Sequence, residues 1–219
     1  MRTVKVLSLL FVLALASAAA AQAQACLGLP SFGNASVHVN VGAEFPDSAT
    51  VLAAGVGGGR DRSAFGNIGA GQITYEGYDG KTTFGFLELG YQLVRNRLHF
   101  CPIASFYVGA GPNDDEIGID YDSRGAAAGL ALGMPVATPF ATLIPNVAIR
   151  YARDELTTTE EGFDGISETF DGGVIDIGLG FVFRDRLSIQ PLVHFPFGGD
   201  DDQMNFGFFA AFRFNWSDW

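Results

Sequence analysis

The stretch Phe206-Gly207-Phe208-Phe209-Ala210-Ala211-Phe212-Arg213-Phe214-Asn215-Trp216 decides the fold. Phe206, Phe208, Ala210, Phe212, Phe214 and Trp216 fall on one side of a period of two; Gly207, Phe209, Ala211, Arg213 and Asn215 fall on the other. Side chains of an extended strand point alternately to opposite faces, so this is a strand with one aromatic face and one mixed face. The same period runs through Leu187, Ile189, Pro191, Val193 and Phe195, and through Ile175, Ile177, Leu179, Phe181 and Phe183. No sustained 3.6-residue period appears after Ala35.

Extending this reading backwards predicts ten strands, near 35–45, 49–58, 64–75, 82–93, 98–111, 123–137, 142–153, 169–183, 187–197 and 204–216. Most run to ten residues or more, against about five to six for an ordinary globular strand. A tilted strand crossing a bilayer needs about 9–11. The connections alternate in kind. One set is short: Arg60-Asp61-Arg62, Arg95-Asn96-Arg97, Thr138-Pro139-Phe140 and Arg184-Asp185-Arg186. The other is acidic and mostly longer, at 76–80, 113–122, 154–167 and 198–203, with Pro46-Asp47-Ser48 as its short member. Such alternation predicts an all-β chain: an antiparallel up-and-down transmembrane β-barrel of ten strands, or of eight if the first hairpin is not formed.

Composition agrees. Of 219 residues 48% are hydrophobic and only 17% charged, so the chain is not an acidic disordered one. Thirteen basic residues against 24 acidic ones give a net charge of −11, which argues against a nucleic-acid partner. Glycine at 29 and phenylalanine at 20 suit tight turns and aromatic strands.

Residues 1–25 read as a secretory signal: Arg2 and Lys5 precede an apolar run from Val6 to Ala21, followed by small-residue cuts after Ala23 or Ala25. A lipoprotein acylated at Cys26 is disfavoured by Ala23 and Gln24 in the positions before it. The expectation is export, a short periplasmic segment over 26–34, and a barrel domain over 35–219 in the outer membrane.

The chain resembles small bacterial outer-membrane β-barrel proteins of the outer-membrane-protein-A-like and opacity-type kind. The resemblance lies in the strand pattern and in the last strand, where Phe212, Phe214 and Trp216 are similar to the C-terminal aromatic signal read by the barrel-assembly machinery. It departs from that signal at Ala211, where glycine is usual, and in the extension Ser217-Asp218-Trp219. It implies two partners, outer-membrane lipid and the assembly machinery.

Four groups of residues invite a chemical reading. Cys26 and Cys101 both belong near the periplasmic end, in an oxidising compartment, which predicts a disulfide tying the N-terminal segment to the barrel mouth. Asp114-Asp115-Glu116 and Asp200-Asp201-Asp202 match no Ca²⁺-loop spacing and read as solvated charge, so no metal or cofactor is expected. Gly57-Gly58-Gly59 lacks the lysine and the following helix of a phosphate-binding loop. The inward polar set is His38, Glu44, Glu88, Gln92, Asn146, Arg150, Asp176, Gln190, His194 and Arg213. Pairing Phe183 with Leu187 across the tight turn sets Asp176 opposite His194, and Arg150 lies on the strand before. Arg150, Asp176 and His194 are therefore expected to form a structural cluster in the lumen. The pattern places no serine, metal partner or second carboxylate beside it.

A structural or surface-interaction role follows, with slight small-solute permeability as its porin-like extension. No catalytic residues are assigned. A barrel enzyme, protease or lipid-modifying, is the alternative; the omptin-type motifs are absent, and His194 is followed by Phe195 and Pro196 where a lipid A deacylase has His-x-Ser. A soluble secreted ligand-binding β-domain would share the alternation but turn the aromatic face inward.

Overall fold

The protein is seen in a computed structural model that describes residues 25–27, 29, 36–59, 63–77, 80–95, 97–111, 119–160, 165–198 and 203–215. The signal segment up to residue 24, the turn Arg60-Asp61-Arg62, Asn96, the acidic stretches at 113–118 and 200–202, and Trp216 lie outside these.

Ten long strands follow one another: β1 (Ser36–Phe45), β2 (Ala49–Gly59), β3 (Ala64–Tyr75), β4 (Lys81–Tyr91), β5 (Leu98–Ala110), β6 (Ile119–Gly133), β7 (Thr142–Glu160), β8 (Ile166–Phe183), β9 (Leu187–Phe197) and β10 (Asn205–Asn215). Each pairs antiparallel with its sequence neighbours, and β1 pairs with β10 from Ser36–Asn215 to Phe45–Phe206. The sheet is thus a closed barrel without an edge, the condition for leaving no backbone group unpaired in lipid. The first hairpin is present, so the strand number is ten rather than eight.

Two strands are interrupted where the sequence pattern ran on. After Tyr91 the chain breaks at Gln92, whose N–H goes to Ser63 O at 3.0 Å, and resumes as Leu93–Arg95 against β5. After Gly133 it breaks at Met134 and Pro135, where proline has no N–H to donate, and the two-residue piece Val136–Ala137 pairs with the start of β7.

The larger difference lies at the other end. Residues 154–160, 166 and 167, read from sequence as loop, continue β7 and β8 in register, Thr158 pairing with Ile166 and Asp154 with Phe170. β6, β7 and β8 reach 15, 19 and 18 residues against 10 to 13 elsewhere, and together they project beyond the rest of the wall. Both faces of this projection are solvated, so it carries no apolar alternation for a sequence reader to find. The β-branched run Thr157-Thr158-Thr159 is the signal that was there.

The tight turn after β8 is closed by Arg186 N–H donating to Phe183 O at 3.0 Å, with Arg184 and Asp185 both at positive φ, 49° and 55°. This is the mirror-image turn that matches strand twist, built here without glycine.

Parity sets the two faces of the wall. Phe206, Phe208, Phe212 and Phe214 are exposed on the outside, as is Phe183; Phe181, on the same face, is half-buried. Val41, Leu52, Ile68, Leu89 and Val108 continue this apolar surface around the barrel. A soluble domain rarely leaves a contiguous patch of more than a few hundred Å² uncovered; here the whole circumference is apolar outside and its charges point inward.

Aromatic residues border that band at both ends. Tyr91, Phe140 and Phe214 sit towards the end that holds the short turns, Phe45, Tyr151 and Phe197 towards the other. Just beyond Tyr151 the outward positions become ionic: Arg124 makes a two-toothed bond to Glu155, with its Nη2 2.9 and 2.8 Å from the carboxylate oxygens, and Arg153 lies 4.0 Å from Asp171. This collar marks where the apolar slab ends. Among the described residues no helix is long and apolar enough to cross a membrane.

Candidate functional site

The interior has two levels. At the short-turn end, Cys26 is joined to Cys101 of β5 by a disulfide, with Cα atoms 6.0 Å apart. Ala25–Leu27 form a single 3-10 turn packed on β5, β6 and β7. Cys26 (1% exposed) and Cys101 (0%) share a buried apolar cluster with Phe65, Ile103, Ala131 and Ala148, against which Leu27 packs. The described part of the N-terminal segment therefore lies within the barrel rather than across its mouth. Nearby, Gln92 Nε2 and His99 Nδ1 lie 2.9 Å apart, both buried.

Above this level lies a cavity of about 460 Å³. Leu27 and Leu29 form part of its inner end, and it reaches Glu44, Thr82 and Ser123 near the outer ends of their strands. One side is aromatic. Phe84 and Phe86 point inward from β4 with ring centroids 6.3 Å apart, and Phe209 enters from β10. Glycines make room for these rings: Phe84 lies over Gly71, and Phe209 over Gly42, where a Cβ would collide with the ring. That is why inward positions at Gly42 of β1 and at Gly69 and Gly71 of β3 are glycine.

The other side is polar and hydrogen-bonded. Asp176 of β8 is the centre. Arg150 Nη2 donates to its Oδ2 at 2.6 Å, and His194 Nδ1 lies 2.6 Å from Oδ1. An ionised carboxylate only accepts, so the imidazole proton sits on Nδ1 and leaves Nε2 free of it in the neutral ring. Asp176 and His194 face each other across β8 and β9 in the ladder, and their side chains are 13% and 11% exposed. Gln190 Nε2 donates to Asn146 Oδ1 at 3.1 Å, and Asn40 Nδ2 to Asn67 Oδ1 at 2.9 Å. Charge-assisted bonds to Asp176 and neutral amide bonds beside them, in a partly dry interior, stiffen the wall they join.

The structure brings Arg150, Asp176 and His194 together, as it does Cys26 and Cys101. It also corrects one expectation. Glu44 of β1 places Oε1 3.6 Å from His194 Nε2, so a second carboxylate does stand beside the cluster. The contact crosses β10 and exists only because the barrel closes there, which hairpin register could not reveal. Phe212 and Phe214 lie outside on the last strand with rings 5.0 Å apart, away from the lumen. The aromatic side of the cavity was missed altogether: Phe84, Phe86 and Phe209 have inward parity, but their rings fit only where a neighbouring strand carries glycine.

Chemically, His194 with Asp176 is the base-and-orienter half of a nucleophilic site. The group facing Nε2 is Glu44, not a hydroxyl, and Asp176 is shared with Arg150. Among the described residues no cluster of three His, Cys, Asp or Glu has the geometry to hold a metal ion.

An outside that suits lipid, an inside that suits water and closure without an edge define the architecture. The fold is that of a small outer-membrane β-barrel. No family model matches the chain, and no curated protein matches it. Among solved structures it is similar to Ail, the attachment invasion locus protein of Yersinia pestis, with 13% identity over 82% of this chain and 96% of that one and a TM-score of 0.45. The β domain of the Bordetella autotransporter BrkA has 16% identity, covering 85% of this chain and 100% of its own, with a TM-score of 0.45. The N-terminal barrel of Pseudomonas aeruginosa OprF has 14% identity, 83% and 98% coverage and a TM-score of 0.37. At these identities the likeness concerns the fold alone.

Proposed function

We propose that this is a non-conducting outer-membrane barrel with a structural and surface-interaction role, exported by a cleaved signal peptide and inserted by the barrel-assembly machinery. The observation that carries the reading is the N-terminal segment inside the wall. Cys26 is covalently held to β5 in the apolar cluster of Phe65, Ile103, Ala131 and Ala148, which occupies lumen that a solute path would need. The projection of β6, β7 and β8 beyond the charged collar is the part offered to the exterior. No enzymatic activity belongs to this reading: the group facing His194 Nε2 is a carboxylate, and Asp176 is shared with an arginine.

The test is electrical. Purified protein in planar bilayers is expected to show no steady conductance. A stable open level in the oxidised wild type would refute the reading and restore the porin-like alternative. Location and orientation are checked separately. The protein is expected to stay with the outer-membrane fraction after a high-salt wash, and an epitope inserted between Glu160 and Gly165 is expected to be detected on intact cells.

A further inference from the structure

Glu88 has no counterpart in the network just described. It follows Thr82, Phe84 and Phe86 among the inward residues of β4, and it lines the cavity. It has no hydrogen-bond or ion-pair partner among the described residues, although Arg150 and Asp176 both act on it electrostatically. The guanidinium of Arg150, the arginine among the described residues that line the cavity, is already engaged by Asp176 at 2.6 Å. Glu44 adds a further carboxylate at the cavity's outer part, opposed only by His194. Three carboxylates thus face one arginine and one imidazole, and the carboxylate left over stands at the end of an aromatic stripe.

A half-buried carboxylate without a partner is costly unless a positive group meets it. The rings beside it offer their negative faces to the same kind of group and apolar surface to whatever carries it. A volume of about 460 Å³ lies within the range of small-molecule pockets, which are mainly apolar with a few convergent polar groups. We propose that the lumen is a binding site for a small organic cation with an apolar body, its ammonium group on Glu88 and its body along Phe84 and Phe86, facing Phe209 and Leu192. Arg150 and Asp176 hold the opposite wall in place as an internally neutral pair. The site goes beyond the surface role above and does not depend on it, since a closed inner end leaves a cup whose polar rim lies near the outer strand ends.

The test uses three probes with one body and different charge: 4-phenylbutylamine, 4-phenylbutanol and 4-phenylbutyrate. Each is titrated by calorimetry into the mature oxidised protein in phosphatidylcholine nanodiscs, with empty nanodiscs subtracted to remove membrane partition. The amine is expected to bind saturably at one site per chain, at least tenfold tighter than the alcohol or the acid. Glu88→Gln keeps the shape of the side chain and removes its charge; it is expected to weaken the amine tenfold or more and to leave the alcohol unchanged. Phe86→Leu is expected to weaken all three probes together. A heat-sensitive gel shift reports that each variant is a closed barrel, and should Glu88→Gln not fold, the wild-type ranking of the three probes still decides. The inference is overturned if the amine binds no better than the alcohol, if Glu88→Gln leaves it unaffected, if the acid is the tightest ligand (which would make Arg150 the anchor) or if no probe saturates.

Discussion

Replacing Asp176 by asparagine removes the charge at which two interior bonds meet. Arg150 Nη2 and His194 Nδ1 each lie 2.6 Å from its carboxylate, on separate oxygens. A hydrogen bond to a charged group is worth about 1.5–3 kcal/mol net, so the two together amount to roughly 3–6 kcal/mol. Asparagine keeps one acceptor, and Arg150, with 29% of its side chain exposed to the lumen, recovers part of its solvation from water there. The expected cost is therefore about 3 kcal/mol, at the lower end of what breaking a buried pair usually costs. Arg150→Met alone is expected to cost about 2 kcal/mol. The double variant is expected to fall short of the sum of the singles by about 2 kcal/mol, because the second substitution removes a partner already lost. Urea unfolding in lipid vesicles, followed by tryptophan fluorescence, reads all three. A cost below about 1 kcal/mol for Asp176→Asn, or additivity within about 0.5 kcal/mol, would show that the cluster does not hold the wall together.

Three further expectations follow from other parts of the barrel. Phe208→Arg, on the outer face opposite Ala43 and Pro191, is expected to impair insertion by about 2–4 kcal/mol if it lies near mid-bilayer, read as the folded fraction in vesicles against urea; an unchanged fraction would place that face away from lipid. Cys26→Ser with Cys101→Ser opens a covalent loop spanning 75 residues and is expected to lower stability by roughly 4 kcal/mol on the loop-closure estimate, seen as a lower urea midpoint; no difference between oxidised wild type and variant would leave the bond without a stabilising role. Arg184→Asn with Asp185→Gly relieves two side chains held at positive φ and is expected to raise stability by about 1 kcal/mol, with a later thermal transition; a lower transition would show that the arginine and aspartate side chains hold the turn.

The strands were legible because a wall with lipid on one side and a packed lumen on the other writes its period into every segment. β10 shows this most clearly, and the turn after β8 carries the register across to His194. Legibility stopped where that contrast stops. Above the collar, Thr157, Ser167 and their neighbours have water on both faces, so the outer halves of β7 and β8 looked like loop. It stopped again where contact depends on closure. Glu44 meets His194 only because β1 returns to β10, and Phe84 reaches inward only because Gly71 on β3 gives way to it. Glu88 was readable as inward, but its isolation is a property of four or five strands at once and is not written in any one of them.

The cystine has a consequence for the order of events during assembly. Its sulfurs lie among buried side chains inside a complete cylinder, beyond the reach of an oxidising enzyme that must touch both thiols. Oxidation therefore belongs to an earlier moment, while β1 and β10 are still apart and the sheet is an open, curling ribbon. From then on the first four strands travel as a tethered loop with the turn Ala25–Leu27 folded against the start of β5, and the last hairpin has only to zip along β1. A chain that zips first keeps its thiols reduced for good, so the redox state of the finished cylinder is a record of which step won.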